Sequence, residues 1–309
     1  MRCLLTGITG QVGGALNTRL QSVGTIVAAD RALLDLTRPA AIEPLLDQIM
    51  PDIIINPAAY TAVDNAEAEA ELAMVVNGQA PGVIAGWAAR HHVPFIHFST
   101  DYVFSGLGEK RWLEDDATVP LSIYGASKLA GENAIRAAGG CFLIVRTSWV
   151  YASRGANFLR TIVRLASERR ELRIVADQIG APTPAALIAD VIGRTFEGGL
   201  DNLCSRMAMA KGHLHLATSG ETSWYGFATA IVDGLRRRGA HLAVERIIPI
   251  RSDEYPTKAR RPLNSRLDLA RLRQVFGITP PDWESALAAE LDVIAEEIGR
   301  NSAAMSGRD

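Results

Sequence analysis

The chain has 309 residues, 48% hydrophobic and 21% charged, with a formal net charge of −2. That balance fits a folded chain with a sizeable core, and it excludes the basic surface of a nucleic-acid binder or a polybasic membrane anchor. No apolar run approaches the ~18 residues of a spanning helix. Met1-Arg2-Cys3-Leu4-Leu5 meets Gly7 too soon for a signal peptide, so a cytoplasmic protein without membrane contact is expected. Cys3, Cys141 and Cys204 are odd in number and lack CxxC or disulfide spacing; they read as reduced thiols.

Residues 2–5 predict a short strand, followed by Gly7-Ile8-Thr9-Gly10-Gln11-Val12-Gly13 and a helical pattern over 15–20. Strand, glycine turn and helix form the context in which backbone amides approach a pyrophosphate at a helix N-terminus. A second strand over 25–30 ends on Asp30, about 20 residues beyond the glycines, where a carboxylate can accept from an adenosine ribose. Arg31 beside it could instead meet a 2′-phosphate. Asp35 and Leu36 fall in the next loop, and Thr37 with Pro39 starts a helix over 41–49. Residues 52–56 predict a buried third strand, with Pro57-Ala58-Ala59-Tyr60-Thr61 leaving its carboxyl end, where small side chains can floor a ligand site. A long helical stretch over 65–90, interrupted at Pro81, leads to the apolar run Phe95-Ile96-His97-Phe98-Ser99-Thr100-Asp101-Tyr102. Alternating strands and helices without an internal repeat argue for an α/β fold, a parallel sheet covered on both faces.

Tyr124-Gly125-Ala126-Ser127-Lys128 opens the next helical pattern. Residues four apart share a helix face, so the Tyr124 phenol and the Lys128 ammonium can point into one pocket. A nearby ammonium is expected to lower the phenol pKa from ~10 toward neutrality and make it a proton donor, with Thr100 donating to the same substrate oxygen. A strand over 142–151 and a helix over 158–165 follow, then a polar turn cluster over 177–183. A helix over 185–196, a strand over 213–217, a helix over 224–237 and a strand over 246–250 come next. The basic, Pro-containing segment 251–267 is expected to close over an anion. A last helix spans 283–298, and 299–309 read as a frayed tail. His213 and His215 share a strand face, but no third ligand has suitable spacing, so no metal site is expected.

Several motifs in series resemble the dTDP-4-dehydrorhamnose reductase family of extended short-chain dehydrogenases. They are the glycine turn from Thr6, Ala58-Ala59-Tyr60-Thr61-Ala62-Val63-Asp64, Ser99-Thr100-Asp101-Tyr102-Val103-Phe104, Tyr124-x-x-x-Lys128 and Arg146-Thr147-Ser148-Trp149-Val150-Tyr151. Asp177-Gln178-x-Gly180-Ala181-Pro182-Thr183 and Ala259-Arg260-Arg261-Pro262-x-Asn264-Ser265 complete the set, which covers about residues 1–290 in order. The resemblance implies a Rossmann-type doubly wound parallel sheet over 1–148, with some later segments returning to it. It also implies a smaller, mainly substrate-binding domain over 149–300, with 301–309 as tail. It implies reduction of a dTDP-linked 4-keto-6-deoxysugar to dTDP-L-rhamnose with NADPH or NADH. Tyr124 would be the proton donor, Lys128 its activator and nicotinamide-ribose partner, and Thr100 the donor to the C4 oxygen. Asp101 and Trp149 would line the sugar site, and Arg260 and Arg261 would meet the diphosphate. Gly10, Gln11, Val12, Asp30, Asp35, Leu36, Ala58, Ala59, Tyr60, Thr61 and Phe98 would hold the cofactor, beside Gly7 and Gly13 of the turn. Some relatives form magnesium-bridged dimers through carboxylates. Here Gly14-Ala15-Leu16-Asn17 and Ala185-Ala186 offer no such acid, so a monomer or a metal-independent homodimer is expected. The alternatives are another nucleotide-sugar ketoreductase or epimerase, or a non-catalytic NADP-binding subunit resembling the β subunit of methionine adenosyltransferase.

Overall fold

In the computed structural model, which describes residues 1–306 (side chains to 300), six parallel strands form the central sheet. They are β1 (Arg2–Thr6), β2 (Thr25–Ala29), β3 (Ile53–Asn56), β4 (Phe95–Thr100), β5 (Phe142–Thr147) and β6 (His213–His215). Their spatial order is β2-β1-β3-β4-β5-β6, with every pairing parallel. The chain reverses its direction of winding between β1 and β3, and in such sheets ligands bind at the carboxyl ends beside that point.

Strand side chains alternate between faces, so Cys3, Leu5, Ile55 and Val145 enter one core cluster while Leu4, Ile54 and Ile144 enter the other. Helix α1 (Gln11–Arg19) and the helix Ala185–Thr195 cover the first face. Helices α2 (Ile42–Ile49) and α3 (Ala80–Arg90) cover the second, with Trp87 wholly buried. A further core joins the helices Phe158–Glu168, Trp224–Arg237 and Trp283–Ser306, beside a two-stranded parallel sheet of Glu171–Val175 and Arg246–Ile250. Segments after residue 184, including the helices Ala185–Thr195 and Ala270–Phe276, pack back onto the central sheet.

Several sequence expectations are corrected. The stretch 65–90 is not one helix: Val63–Ala66 and Ala70–Met74 are separate, and Val75–Gln79 is a π-helical turn leading into α3. Pro81 has no N–H to return to Asn77, and the chain widens just ahead of it. The strand expected over 142–151 breaks at Ser148 and Trp149, resuming as Val150–Tyr151 paired with Thr183–Pro184. The last helix continues through Ser306 rather than fraying at 299, and 307–309 of the expected tail lie outside the described residues. Cys141 and Cys204, 63 residues apart, form a disulfide with Cα atoms 5.9 Å apart; only Cys3 is a free thiol, and it is buried. Tertiary packing of the helix Gly199–Met209 beside β5 brings them together, which no spacing rule shows. No described helix is long and apolar enough to cross a membrane.

Candidate active site

A cavity of about 940 Å³ lies along the carboxyl ends of the sheet. At one end is the glycine turn. Gly7 adopts φ +59°, and a Cβ there would lie 2.8 Å from the Ala58 Cα; a Cβ on Gly13 would lie 2.1 Å from the Gly7 carbonyl oxygen. Glycine is therefore required for α1 to start this close to β1 and β3. No side chain caps that helix at Gly10, so its first amides face the cavity as a cradle for phosphate oxygens.

Asp30 accepts the amides of Ala32 and Leu33, both through Oδ1 at 3.0 Å. Arg31, largely exposed, pairs with Asp35 at 3.6 Å. The hydroxyl and amide of Thr37 hold the Asp35 carboxyl below its usual range, with Arg31 adding a smaller effect. Leu36, Ala58, Ala59, Tyr60 and Thr61 line the adjoining wall. The π-helical turn earns its place here. Its Asn77 clamps the Tyr60 backbone, accepting from the amide at 2.8 Å and donating to the carbonyl at 3.0 Å, and donates also to Ser127 at 3.0 Å.

At the other end, helix α4 (Ile123–Ala138) begins with Ser122 as N-cap, whose hydroxyl accepts from Gly125 N–H at 3.2 Å. Tyr124 and Lys128 both face the cavity with Phe98, Thr100 and Asp101. The Thr100 hydroxyl donates to Asp101 Oδ1 at 3.0 Å and accepts from Tyr102 N–H at 3.2 Å. Tyr102 stands edge-on to Tyr124 at 5.5 Å. Burial raises the Asp101 carboxyl to about 6 against the pull of Ser265 and Thr100, and its Oδ2 has no hydrogen-bond partner among the described residues.

One electrostatic expectation is overturned. The Tyr124 pKa is not lowered by Lys128: burial, then the Asp101 charge, push it above 10. Lys128 Nζ donates to the Phe98 carbonyl at 2.7 Å and meets His97 Nε2 at 3.1 Å. Burial lowers Lys128 itself to about 8. Tyr124 is thus a neutral phenol throughout the physiological range, the state a proton donor must hold.

Trp149 occupies a left-handed backbone conformation, φ 48°, which is rare for a bulky residue and is found mostly where tertiary contacts impose it. Stacking on Trp224, with centroids 3.6 Å apart, and close contact with Gly180 impose it here. A Cβ on Gly180 would come within 2.7 Å of the indole. Arg261 lines the cavity and pairs with Asp64 at 2.7 Å, whereas Arg260 is exposed and lies outside it. Ala259 is buried, and Asp64 accepts its amide at 3.1 Å, which turns the alternate side chain outward. The remaining expected site residues, Gly7, Gly10, Gln11, Val12 and Gly13 among them, share the one cavity.

Sequence reading missed Asn157. It caps the helix Phe158–Glu168 by accepting from Arg160 N–H at 3.0 Å, and its Nδ2 donates to Gln11 Oε1 at 3.1 Å, tying the glycine turn to that helix. An Asn immediately before an apolar helical pattern is a capping signal that could have found it. Also missed was a buried ion pair behind Thr100. Arg146 meets Glu132 through two bonds of 2.9 and 2.6 Å, with Ser99 donating to the same carboxylate at 2.6 Å. Among the described residues, no group of three or more His, Cys, Asp or Glu side chains could hold a metal ion.

A doubly wound sheet, an uncapped helix beside a glycine turn, and a Thr-Tyr-Lys group in the same cavity define a dinucleotide-binding enzyme of the extended short-chain dehydrogenase class. The model of the RmlD substrate binding domain family matches residues 1–296. The dTDP-4-dehydrorhamnose reductase of Burkholderia thailandensis is 46% identical over 289 residues, covering 93% of this chain and 97% of that protein. A crystal structure of the Clostridium acetobutylicum dTDP-4-dehydrorhamnose reductase superposes with TM-score 0.86 at 32% identity, covering 95% of this chain and 99% of that one. The Bacillus anthracis dTDP-4-dehydrorhamnose reductase, solved in complex with NADP, gives 0.85 at 34% identity, covering 94% and 98%. The chain belongs to the RmlD substrate binding domain family.

Proposed function

We propose that this protein is an NAD(P)H-dependent oxidoreductase that reduces the 4-keto group of dTDP-4-dehydro-6-deoxy-L-mannose, giving dTDP-L-rhamnose. The observation that carries the reading is the convergence of Thr100, Tyr124 and Lys128 on one cavity whose far end is the glycine cradle. When bound, the nicotinamide supplies a hydride to C4. The uncapped amides after Gly10 suit its pyrophosphate, and Asp30 or Arg31 its adenosine end.

Tyr124 gives its phenolic proton to the C4 oxygen as negative charge develops there, and Thr100 donates a second hydrogen bond to that oxygen by turning its one hydroxyl hydrogen away from Asp101 Oδ1. Lys128, one turn along the helix, offers its Nζ hydrogens to the cavity and to the Phe98 carbonyl. Asp101, with a free Oδ2, accepts from a sugar hydroxyl; Trp149 supplies an apolar wall. Arg261, already shared with Asp64, meets the diphosphate as a tempered cation, whereas Arg260 lies outside the cavity lining. The nucleotide handle contributes binding energy remote from the reacting carbon. The reaction takes place in the cytoplasm.

The test is an assay with the 4-keto sugar nucleotide and each cofactor. Stoichiometric oxidation of NADPH or NADH with formation of the 4-hydroxy sugar supports the reading. Turnover with no net cofactor consumption would indicate an epimerase, and cofactor binding without turnover a binding subunit.

A further inference from the structure

A second line of buried polar side chains meets Lys128 from within the sheet. Thr6 ends β1, Asn56 ends β3, and His97 lies in β4 as the register partner of Asn56. None of the three lines the cavity, and their exposures are 2%, 0% and 0%. The Thr6 hydroxyl donates to Asn56 Oδ1 at 2.6 Å, Asn56 Nδ2 faces His97 Nδ1 at 3.1 Å, and His97 Nε2 faces Lys128 Nζ at 3.1 Å.

The hydrogens of this line can be counted. An amide NH₂ only donates, so His97 Nδ1 accepts, and a neutral ring then carries its one proton on Nε2. That N–H points at Nζ, which must accept with a lone pair, as a free amine does. An ammonium has no lone pair. It requires a bare Nε2, which moves the ring proton to Nδ1 and turns the Asn56 oxygen toward it. The amide NH₂ then faces the Thr6 oxygen, where a second lone pair is available beside the bond from Ala58 N–H. In both arrangements His97, Asn56 and Lys128 keep their bonds, so neither protonation state leaves one of them buried and unpaired.

We propose that His97, oriented by Asn56 and Thr6, is a positioning residue for Lys128: its two neutral tautomers give Nζ a partner as ammonium and as amine, so that Lys128 exchanges a proton while His97, Asn56 and Lys128 all stay paired. The balance is ammonium beside an Nδ1–H ring on one side, and amine beside an Nε2–H ring plus one proton released to solvent on the other. Burial, then the Lys128 charge, keep His97 well below its usual range and hence neutral. Of the other ionisable groups, Glu132 on α4 acts on Lys128, Arg146 on β5 and His213 on β6 act on Glu132, and Asp101 just beyond β4 acts on Tyr124. Glu132 favours the ammonium, but Arg146 and Ser99 already engage its carboxylate.

The inference rests on Lys128 belonging to the reacting group proposed above, yet its primary readout needs no turnover. In protein with ¹⁵N-labelled imidazoles, the His97 signals are assigned by their loss in His97→Phe and followed from pH 6 to 10. The ring proton is expected to pass from Nδ1 to Nε2 in one transition, and Lys128→Met to abolish it. A ring that keeps one tautomer over the whole range overturns the proposal. Kinetics supply a second arm with opposite signs. Asn56→Asp, an obligate acceptor, should hold the proton on Nδ1 and move the alkaline limb of kcat/KM upward by about one pH unit, a tenfold change in proton affinity. His97→Phe should move it downward. Activity lost equally at every pH, with the limb in place, would assign His97 a merely structural role. A tautomer transition together with full activity in Tyr124→Phe would support the His97–Lys128 coupling while refuting the catalytic reading.

Discussion

Replacing Glu132 with Leu removes the only carboxylate that meets Arg146 among the described residues; the Arg146 side chain is 1% exposed. The guanidinium would keep its bond to the Glu114 carbonyl at 3.1 Å and its place over the Phe104 ring, but its charge would be buried without a counter-ion. Breaking one side of such a pair costs about 3–5 kcal/mol, and the Ser99 hydroxyl, losing its acceptor, adds ~1 kcal/mol. At roughly 2.1 cal/mol/K per residue of unfolding entropy, a loss of about 4 kcal/mol lowers Tm by roughly 6 °C. Replacing both partners, Glu132→Leu with Arg146→Met, removes the uncompensated charge, so the double variant should recover at least ~2 kcal/mol relative to Glu132→Leu alone. Ser99 and Thr100 are register partners of Arg146 and Thr147, so activity should fall in the single variant and recover in part in the double. The acid sign can also be worked out. Burial raises Glu132, but Arg146 and Ser99 outweigh it and leave the carboxyl below its ordinary 4.5. The pair's contribution is therefore present above pH 4.5 and lost as pH falls through the lowered folded value. Urea denaturation at pH 7 and at pH 4 measures both effects. A cost below 1 kcal/mol for Glu132→Leu, or a double variant as unstable as the sum of the two single losses, would refute the reasoning.

Tyr124→Phe removes the proton but keeps the ring, so single-turnover reduction should slow by a factor on the order of 10² to 10⁴ with cofactor affinity little changed; full activity would sink the proton-donor role. Lys128→Met should weaken both cofactor binding and turnover, and the double variant should lose much less than the product of the single losses; multiplicative losses would show two independent groups. Both NADH and NADPH should be used, because Asp30 leaves Oδ2 for a ribose hydroxyl while exposed Arg31 can reach a 2′-phosphate; a preference above roughly a thousandfold, about 4 kcal/mol, would show one residue dominating. Arg261→Ala should raise KM for the sugar nucleotide about tenfold and Arg260→Ala less than about twofold; equal effects would contradict the assignment of the cavity. Gly14-Ala15-Leu16-Asn17 and Ala185-Ala186 offer no carboxylate for a metal bridge between subunits, so a chelator should leave the oligomeric state unchanged in size-exclusion chromatography.

Much of the fold was legible because its signals are local. The glycine turn, the four apolar strands from β1 to β4, and the helix Trp224–Arg237 each carry their own pattern within a dozen or so residues. Tyr124 and Lys128 could be paired from helical spacing alone. What escaped depends on partners far along the chain. Spacing places Lys128 near Tyr124, but cannot show that Nζ is held by Phe98 and His97 or that Asp101 raises the phenol. Trp149 read as part of the aromatic end of a strand because its left-handed turn is imposed by Trp224 and Gly180, both distant in sequence. The helix Gly199–Met209 was missed because Gly198 and Gly199 look like a break, when Gly198 is the αL residue just before its first turn. Cys141 and Cys204 belong to the same class of distant partners.

The polar layer beneath the site explains why this sheet departs from the plain apolar pattern of a buried parallel strand. His97, Ser99 and Arg146 lie in β4 and β5, positions where Val or Ile would suit both the sheet and its core. Apolar residues of similar volume commonly match or exceed a buried ion pair in stability, so cohesion alone does not account for Arg146 and Glu132. Geometry does. Each of these side chains ties a strand end to α4: His97 through Lys128, Ser99 and Arg146 through Glu132. Together they fix the helix that carries Tyr124 against the strand that carries Thr100, at two points one helical turn apart. Under the proposed function, the Tyr124 phenol and the Thr100 hydroxyl meet the same substrate oxygen within a few tenths of an ångström, which calls for that kind of support, because directional bonds resist the sliding that apolar contacts tolerate.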